Sequence, residues 1–243
     1  MTSNEIATRL SSAGIKVPAL SERLNRNPEP LVGFDIDSAS AIKTWRELRQ
    51  RTGQTGLYPV IVSDQHDLLG LTGAEAPSAA DILKEAAGID GAKRLQRLAA
   101  ENEGAGEGDE EGEAERIAEF TVPWNLLDGK PRDDLSLVLL PTTRAWEACA
   151  YLAFEAVNFD ISSDAHVAVH KYWHEQYGAE LVTCGGDVLE FTVARPPRAE
   201  AAAAKLAREQ FAYCPDLVEQ GVGSLGALTR ILVGGNIWYF WWD

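Results

Sequence analysis

Apolar and polar positions follow two rhythms along this chain. Residues 31–36, 57–63, 135–140, 179–184 and 188–194 are short apolar runs rich in β-branched and aromatic residues, the pattern of strands. Between them, helical spacing is read at 3–13, 18–26, 39–52, 78–87, 90–100, 143–154, from Ser163 or Asp164 to about Tyr177, and at 198–213 and 224–233. Ser38 and Ser78 stand where N-caps belong, and Gly178 stands where a helix would stop. Pro59 inside the second strand favours an edge position or a bulge. The turn Gly185-Gly186-Asp187 joins two strands as a hairpin.

The chain closes on Ile237, Trp238, Tyr239, Phe240, Trp241 and Trp242 before Asp243. In an extended strand both faces of this stretch are apolar, which predicts an inner strand covered on both sides. Its gross burial is worth on the order of 10–20 kcal/mol, so the tail is expected to be locked into the sheet. Six residues are too few to span a bilayer.

Together these elements predict an α+β protein, a mainly antiparallel sheet with helices packed on it. From 135 onward the order β-α-β-β-α-β has the form of a ferredoxin-like split βαβ domain. Composition divides the chain into a smaller α/β region at 1–100, a linker at 101–119 and an α+β domain at 120–243. The linker holds Glu101, Glu103, Glu107, Asp109, Glu110, Glu111, Glu113 and Glu115 and, up to 111, nothing apolar larger than alanine. It reads as a solvated spacer, or as an acidic arm for a basic partner.

The formal net charge is −15. Setting those eight acids aside leaves 29 acidic residues against 22 basic ones, so the excess is largely local. An acidic balance argues against nucleic acid and suits a basic protein partner. Cys149, Cys184 and Cys214 are odd in number and widely spaced, which disfavours a disulfide or zinc framework. With no leader-like or long apolar run, a soluble, cytoplasmic protein without a membrane partner is expected.

The later motifs are Trp173, Tyr177-Gly178-Ala179-Glu180, Asp187-Val188-Leu189-Glu190, Pro196-Pro197, Ala207 and Glu209, Tyr213-Cys214-Pro215-Asp216, Gln220-Gly221, and Trp238 with Phe240-Trp241-Trp242-Asp243. Over roughly 135–243 they resemble the bacterial family called domain of unknown function 4253. Trp45, Leu48-Arg49 and the run from Gly56 to Val60 are similar to regions that precede that domain in some chains. One departure is that Asn158-Phe159-Asp160 stands where the family pattern has Asn followed by a Cys-Pro pair. The resemblance implies no established activity, and no cofactor is expected.

Candidate chemistry is sparse. His166, His170 and His174 recur every four residues on one helix. All three cannot reach one metal, but His166 with His170, or His170 with His174, has the spacing of a metal pair; it is equally the spacing of border residues on an amphipathic helix. Cys214 before Pro215-Asp216 is a candidate nucleophile, or simply a small apolar residue at a helix end. Gln210 falls in the middle of an apolar arc and must find a partner, either loop backbone near Gln220-Gly221 or the terminal carboxylate of Asp243. Glu190, Glu209, Gln210, Cys214, Asp216, Gln220 and Asp243 therefore form a candidate polar site, either a network holding the chain end or a ligand pocket. There is no phosphate-binding glycine loop and no nucleophile elbow. The function expected is a protein-interaction module of immunity or regulatory type. The alternative is a small-molecule or metal-dependent enzyme using the histidine helix and the Cys214-Asp216 region.

Overall fold

The extended runs assemble into one seven-stranded sheet in the order β1-β2-β4-β3-β5-β6-β7, with the helices packed on it. The computed structural model describes residues 1–24, 30–63, 77–101, 115–124, 129–156 and 161–243. The α+β class and mainly antiparallel pairing expected from the pattern are present; the pairing of β3 with β5 is parallel.

Helix α1 (Ser3–Ser12) opens with a capping box, in which the Thr2 hydroxyl accepts from the Glu5 N–H while the Glu5 carboxylate accepts from the Thr2 N–H. Residues 18–24 do not form the helix expected over 18–26. Leu20 and Leu24 are a single apolar pair, and β1 (Ser21–Leu24) instead pairs antiparallel with β2 (Leu31–Asp35). Helix α2 (Ser38–Gln50) is capped by Asp37, which accepts from the Ser40 N–H; the expected cap, Ser38, donates its hydroxyl to the Arg132 carbonyl at 2.6 Å. A short helix α3 (Thr52–Thr55) ends at Gly56 and leads to β3 (Tyr58–Ser63).

β3 is an interior strand, not an edge. It pairs with β4 (Leu135–Leu140) along its length and with β5 (Ala179–Cys184) through Ile61 and Val62. Pro59 is tolerated because its missing N–H falls before the pairing with β5, which begins two residues further on at Ile61; its carbonyl accepts from Trp45 Nε1 at 2.9 Å. On the other flank of β4, Gly33 is tightly placed, since a Cβ there would lie 2.2 Å from the Leu137 carbonyl oxygen.

Helices α4 (Ala79–Ala86, capped by Ser78) and α5 (Gly91–Glu101) precede β4. A 3₁₀ turn (Ala145–Glu147), α6 (Ala148–Leu152) and α7 (Ser163–Tyr177) follow it. Gly178, in the left-handed conformation, ends α7 and starts β5. β6 (Val188–Val193) returns beside β5, and α8 (Glu200–Tyr213) packs on α5 and on α9 (Leu225–Leu232). Between α8 and α9, Leu217–Val222 forms a turn of π-helix, a rare geometry that clusters at functional sites.

β4 thus lies between two strands from the first hundred residues, and the sheet runs through both halves of the sequence. Arg49 of α2 adds a bidentate pair to Glu180 of β5, from Nε at 2.8 Å and from Nη2 at 2.5 Å, over the ring of Tyr58. The ferredoxin-like order is not formed, because β4 pairs with β2 and β3 rather than with β6 or β7.

β7 (Ile237–Trp241) also departs from expectation. It is an edge strand, paired with β6 alone among the described residues. Its faces are nonetheless covered: Trp238, Phe240 and Trp242 are buried, Ile237 is buried on the opposite face, and Tyr239 and Trp241 are half-buried. An apolar pattern on both sides of a strand reports that its faces are covered and is silent on its hydrogen-bonding edge.

Candidate functional site

The histidines of α7 point into the protein. His166 Nδ1 lies 2.6 Å and His170 Nε2 2.8 Å from the hydroxyl of Tyr213 on α8, and His170 Nδ1 lies 3.5 Å from Cys149 Sγ on α6. All four residues are buried. Burial holds the His166 pKa well below the usual imidazole range and that of His170 down to about 3, so both rings are neutral. A neutral imidazole has one donor and one acceptor, and the Tyr213 proton can serve one ring only. Full pairing therefore needs the two histidines in opposite roles. If Cys149 donates to His170, then His170 donates to Tyr213 and Tyr213 donates to His166. His166 Nε2 remains without a partner among the described residues.

The spacing that resembled a metal pair is thus used to grip one hydroxyl. Among the described residues, no group of three His, Cys, Asp or Glu side chains is arranged to hold a metal. His174, a turn further on, contacts the Ala179 carbonyl through Nδ1 at 3.0 Å.

The other candidates fall in separate places. Glu190, in mid-β6, is fully buried and accepts four hydrogen bonds. Oε1 takes the N–H and hydroxyl of Thr121, and Oε2 takes the Val122 N–H and the Thr183 hydroxyl. Burial raises its pKa, and these donors oppose the rise. The carboxylate anchors the 115–124 segment to the sheet. Glu209 accepts from the Tyr172 hydroxyl at 3.0 Å and from Trp173 Nε1 at 3.2 Å, tying α8 to α7, with Lys205 3.5 Å away.

A third group holds the chain end. Cys214 Sγ donates to the Trp241 carbonyl at 2.9 Å, and Asp216 accepts from the Asp243 N–H at 3.2 Å and from Gln220 Nε2 at 2.9 Å. Trp241 Nε1 donates to Asp187 at 3.0 Å. The thiol of Cys214 is pushed up to about 12 by burial, and burial also raises those of Cys149 and Cys184. None of the three is poised as a thiolate. Gln210 does not make the contact expected of it. Asp216 serves the chain end instead, and Gln210 Nε2, though buried, has no partner among the described residues.

This chain-end geometry rests on the tyrosine-cysteine-proline-aspartate run and on the terminal aromatic motif, both inside one family match. Residues 136–243 match the family described as Domain of unknown function (DUF4253). No curated protein and no solved structure matches the chain. The DUF4253 region begins within β4 and contains the histidine chain, Glu190, Glu209 and the chain-end group. The departure from the family pattern at 158–160, and the acidic stretch from 102 to 114, lie outside the described residues.

Tyr213, Thr121, Thr183 and Cys149 were missed as members of these networks. Tyr213 had a visible signal, since its hydroxyl sits on an arc otherwise apolar and needs a buried partner. For Thr121 and Thr183 there was none, because their roles depend on strand pairing between distant segments.

Proposed function

We propose that this protein is a protein-interaction module of immunity or regulatory type, acting through its acidic surface on a basic protein partner rather than by catalysis. One observation carries the reading: the candidate catalytic groups of the DUF4253 region are turned inward and committed to internal bonds. His166 and His170 share Tyr213, Glu190 is filled by four donors, and the three thiols are buried with their pKa values raised. What remains is charge: a formal net −15, with eight acidic residues between Glu101 and Glu115. The alternative, an enzyme built on the histidine helix and Cys214-Asp216, has no comparable support. A cytoplasmic setting belongs to the same proposal; no helix among the described residues is long and apolar enough to cross a membrane.

The test is capture of a partner by the full chain at two salt concentrations, alongside a variant with Glu103, Glu107, Glu110, Glu111 and Glu113 changed to Gln. The Debye length falls from about 10 Å at 0.1 M to about 3 Å at 1 M, so a basic partner held at low salt should be released at high salt and by the variant. No partner, or one indifferent to both changes, defeats the reading.

A further inference from the structure

The described sheet has two edges, β1 and β7, and only one of them is guarded. β1 is four residues long, carries Glu22 and Arg23 and has a register shift against β2. Such devices keep an edge from pairing with another chain. β7 has none of them. Ile237–Trp241 holds no proline and no charge, and it pairs with β6 without a shift from Thr192 opposite Ile237 to Val188 opposite Trp241. The Val193 N–H donates to the Asn236 carbonyl and the Trp242 N–H to the Asp187 carbonyl. Strand alternation therefore turns the peptide groups of Ile237, Tyr239 and Trp241 outward. The Trp241 carbonyl accepts from the Cys214 thiol, while the outward groups of Ile237 and Tyr239 have no hydrogen bond among the described residues. A cavity of about 110 Å³ touches Ile237, Trp238 and Tyr239 in turn. These belong to both faces of the strand, so the cavity runs along its edge rather than over one face.

We propose that β7 pairs antiparallel with β7 of a second copy of this chain, joining the two sheets across a twofold axis at Trp238. In that register Ile237 stands opposite Tyr239 of the second copy, and the outward N–H and carbonyl groups of the two residues bond each other on both sides of the axis. The charge at the two ends of the strand fits this occupant. Beside Gly234, Nη1 of Arg198 and Nη1 of Arg116 lie 3.7 and 3.8 Å from the point a Cβ would occupy, and neither arginine has an ion pair among the described residues. At the other end stand three carboxylates: Asp187 accepts from Trp241 Nε1, and Asp216 from the N–H of Asp243. Counting along the antiparallel register puts Gly234 opposite Trp242 of the second copy, so the arginines of each chain meet Asp216 and Asp243 of the other. A parallel arrangement would set like charge against like. The net charge of −15 does not oppose this contact strongly, because the Debye length at 0.15 M is about 8 Å and only nearby charges act across it. The interface uses no residue from 101 to 115, so this proposal and the acidic-surface reading can fail independently.

The experiment is sedimentation equilibrium of the full chain between about 1 μM and about 200 μM, joined to hydrogen exchange of its backbone amides. The mass should rise with concentration from 26.4 kDa toward twice that value. Over the same range the amides of Ile237 and Tyr239 should become protected, which a dimer formed through any other surface would not do. Arg116→Glu with Arg198→Glu changes two exposed side chains and should weaken association about ten-fold, as should Asp243→Lys. Mixing the two variants should restore it, since opposite charges then face each other at both ends of the interface. The variant with Glu103, Glu107, Glu110, Glu111 and Glu113 changed to Gln should associate as the native chain does. A single-chain mass at every concentration, a dimer whose Ile237 and Tyr239 amides still exchange freely, or charge variants that associate like the native chain overturns the proposal; the first result would leave the edge to a strand of another protein.

Discussion

The thiol of Cys214 donates to the carbonyl of Trp241 at 2.9 Å, across 27 residues of sequence. That bond lies on the open side of β7, and with the Asp216 contact to the Asp243 N–H it holds the C-terminal end of an edge strand.

The tail is structural. Phe240 and Trp242 are fully buried, and Phe240 stacks on Trp173 with centroids 5.5 Å apart. Losing two such side chains costs about 3–5 kcal/mol each, comparable to the whole stability of a domain. Deleting residues 239–243 should leave the protein insoluble or molten, read by near-ultraviolet circular dichroism and thermal melting. A soluble truncation with an unchanged melting temperature refutes this.

Glu190 should not tolerate its amide. Each of its oxygens accepts one backbone N–H, from Thr121 or from Val122. In Glu190→Gln, whichever way the amide turns, its NH₂ faces one of those donors. The variant should lose about 1–3 kcal/mol in urea unfolding, although it removes a buried charge. A gain in stability would show that desolvation of the carboxylate outweighs its bonds.

Mild acid should destabilise the fold through the histidine chain. Unfolded, His166 and His170 titrate near pH 6.5; folded, burial keeps His170 neutral down to about 3 and His166 neutral well below the usual range. Between those values the unfolded chain binds protons that the native one refuses, so stability is present above about pH 6.5 and declines as pH falls. The pair should cost about 2–3 kcal/mol between roughly pH 7.5 and 5.5, measured as a fall in the urea midpoint. Glu190 works in the opposite sense. Its raised value means that stability returns as pH falls through its folded pKa. A flat profile from 7.5 to 5.5 would contradict neutral buried histidines.

Residues 120–243 alone should not fold. Among the described residues β4 pairs with β2 and β3 only, and β5 takes one of its two partners from β3. Expressed alone, the fragment would expose both edges of an entirely buried strand, Leu135–Leu140, and should aggregate or show no dispersed amide spectrum. A cooperative melt of the fragment would overturn this.

Local sequence determined the elements that carry strong periodic signals. Residues 135–140, 179–184, 188–193 and the tail read as strands, the helix ending at Gly178 and the one capped by Ser78 read as helices, and the motifs from Trp173 to Asp243 pointed to the family matched over 136–243. The α+β class followed from these. Tertiary structure alone decided that β4 lies between β2 and β3, that Pro59 sits inside the sheet and that β7 is an edge, because strand order depends on pairings across a hundred residues that no local pattern encodes. The same limit held at the site. Helical spacing placed His166 and His170 on one face of α7 and marked Gln210 as misplaced, yet the partner of the histidines proved to be a tyrosine on another helix, and Gln210 Nε2 has no partner among the described residues. Periodicity fixes which way a side chain faces on its own element; what it meets there is set by how the elements pack.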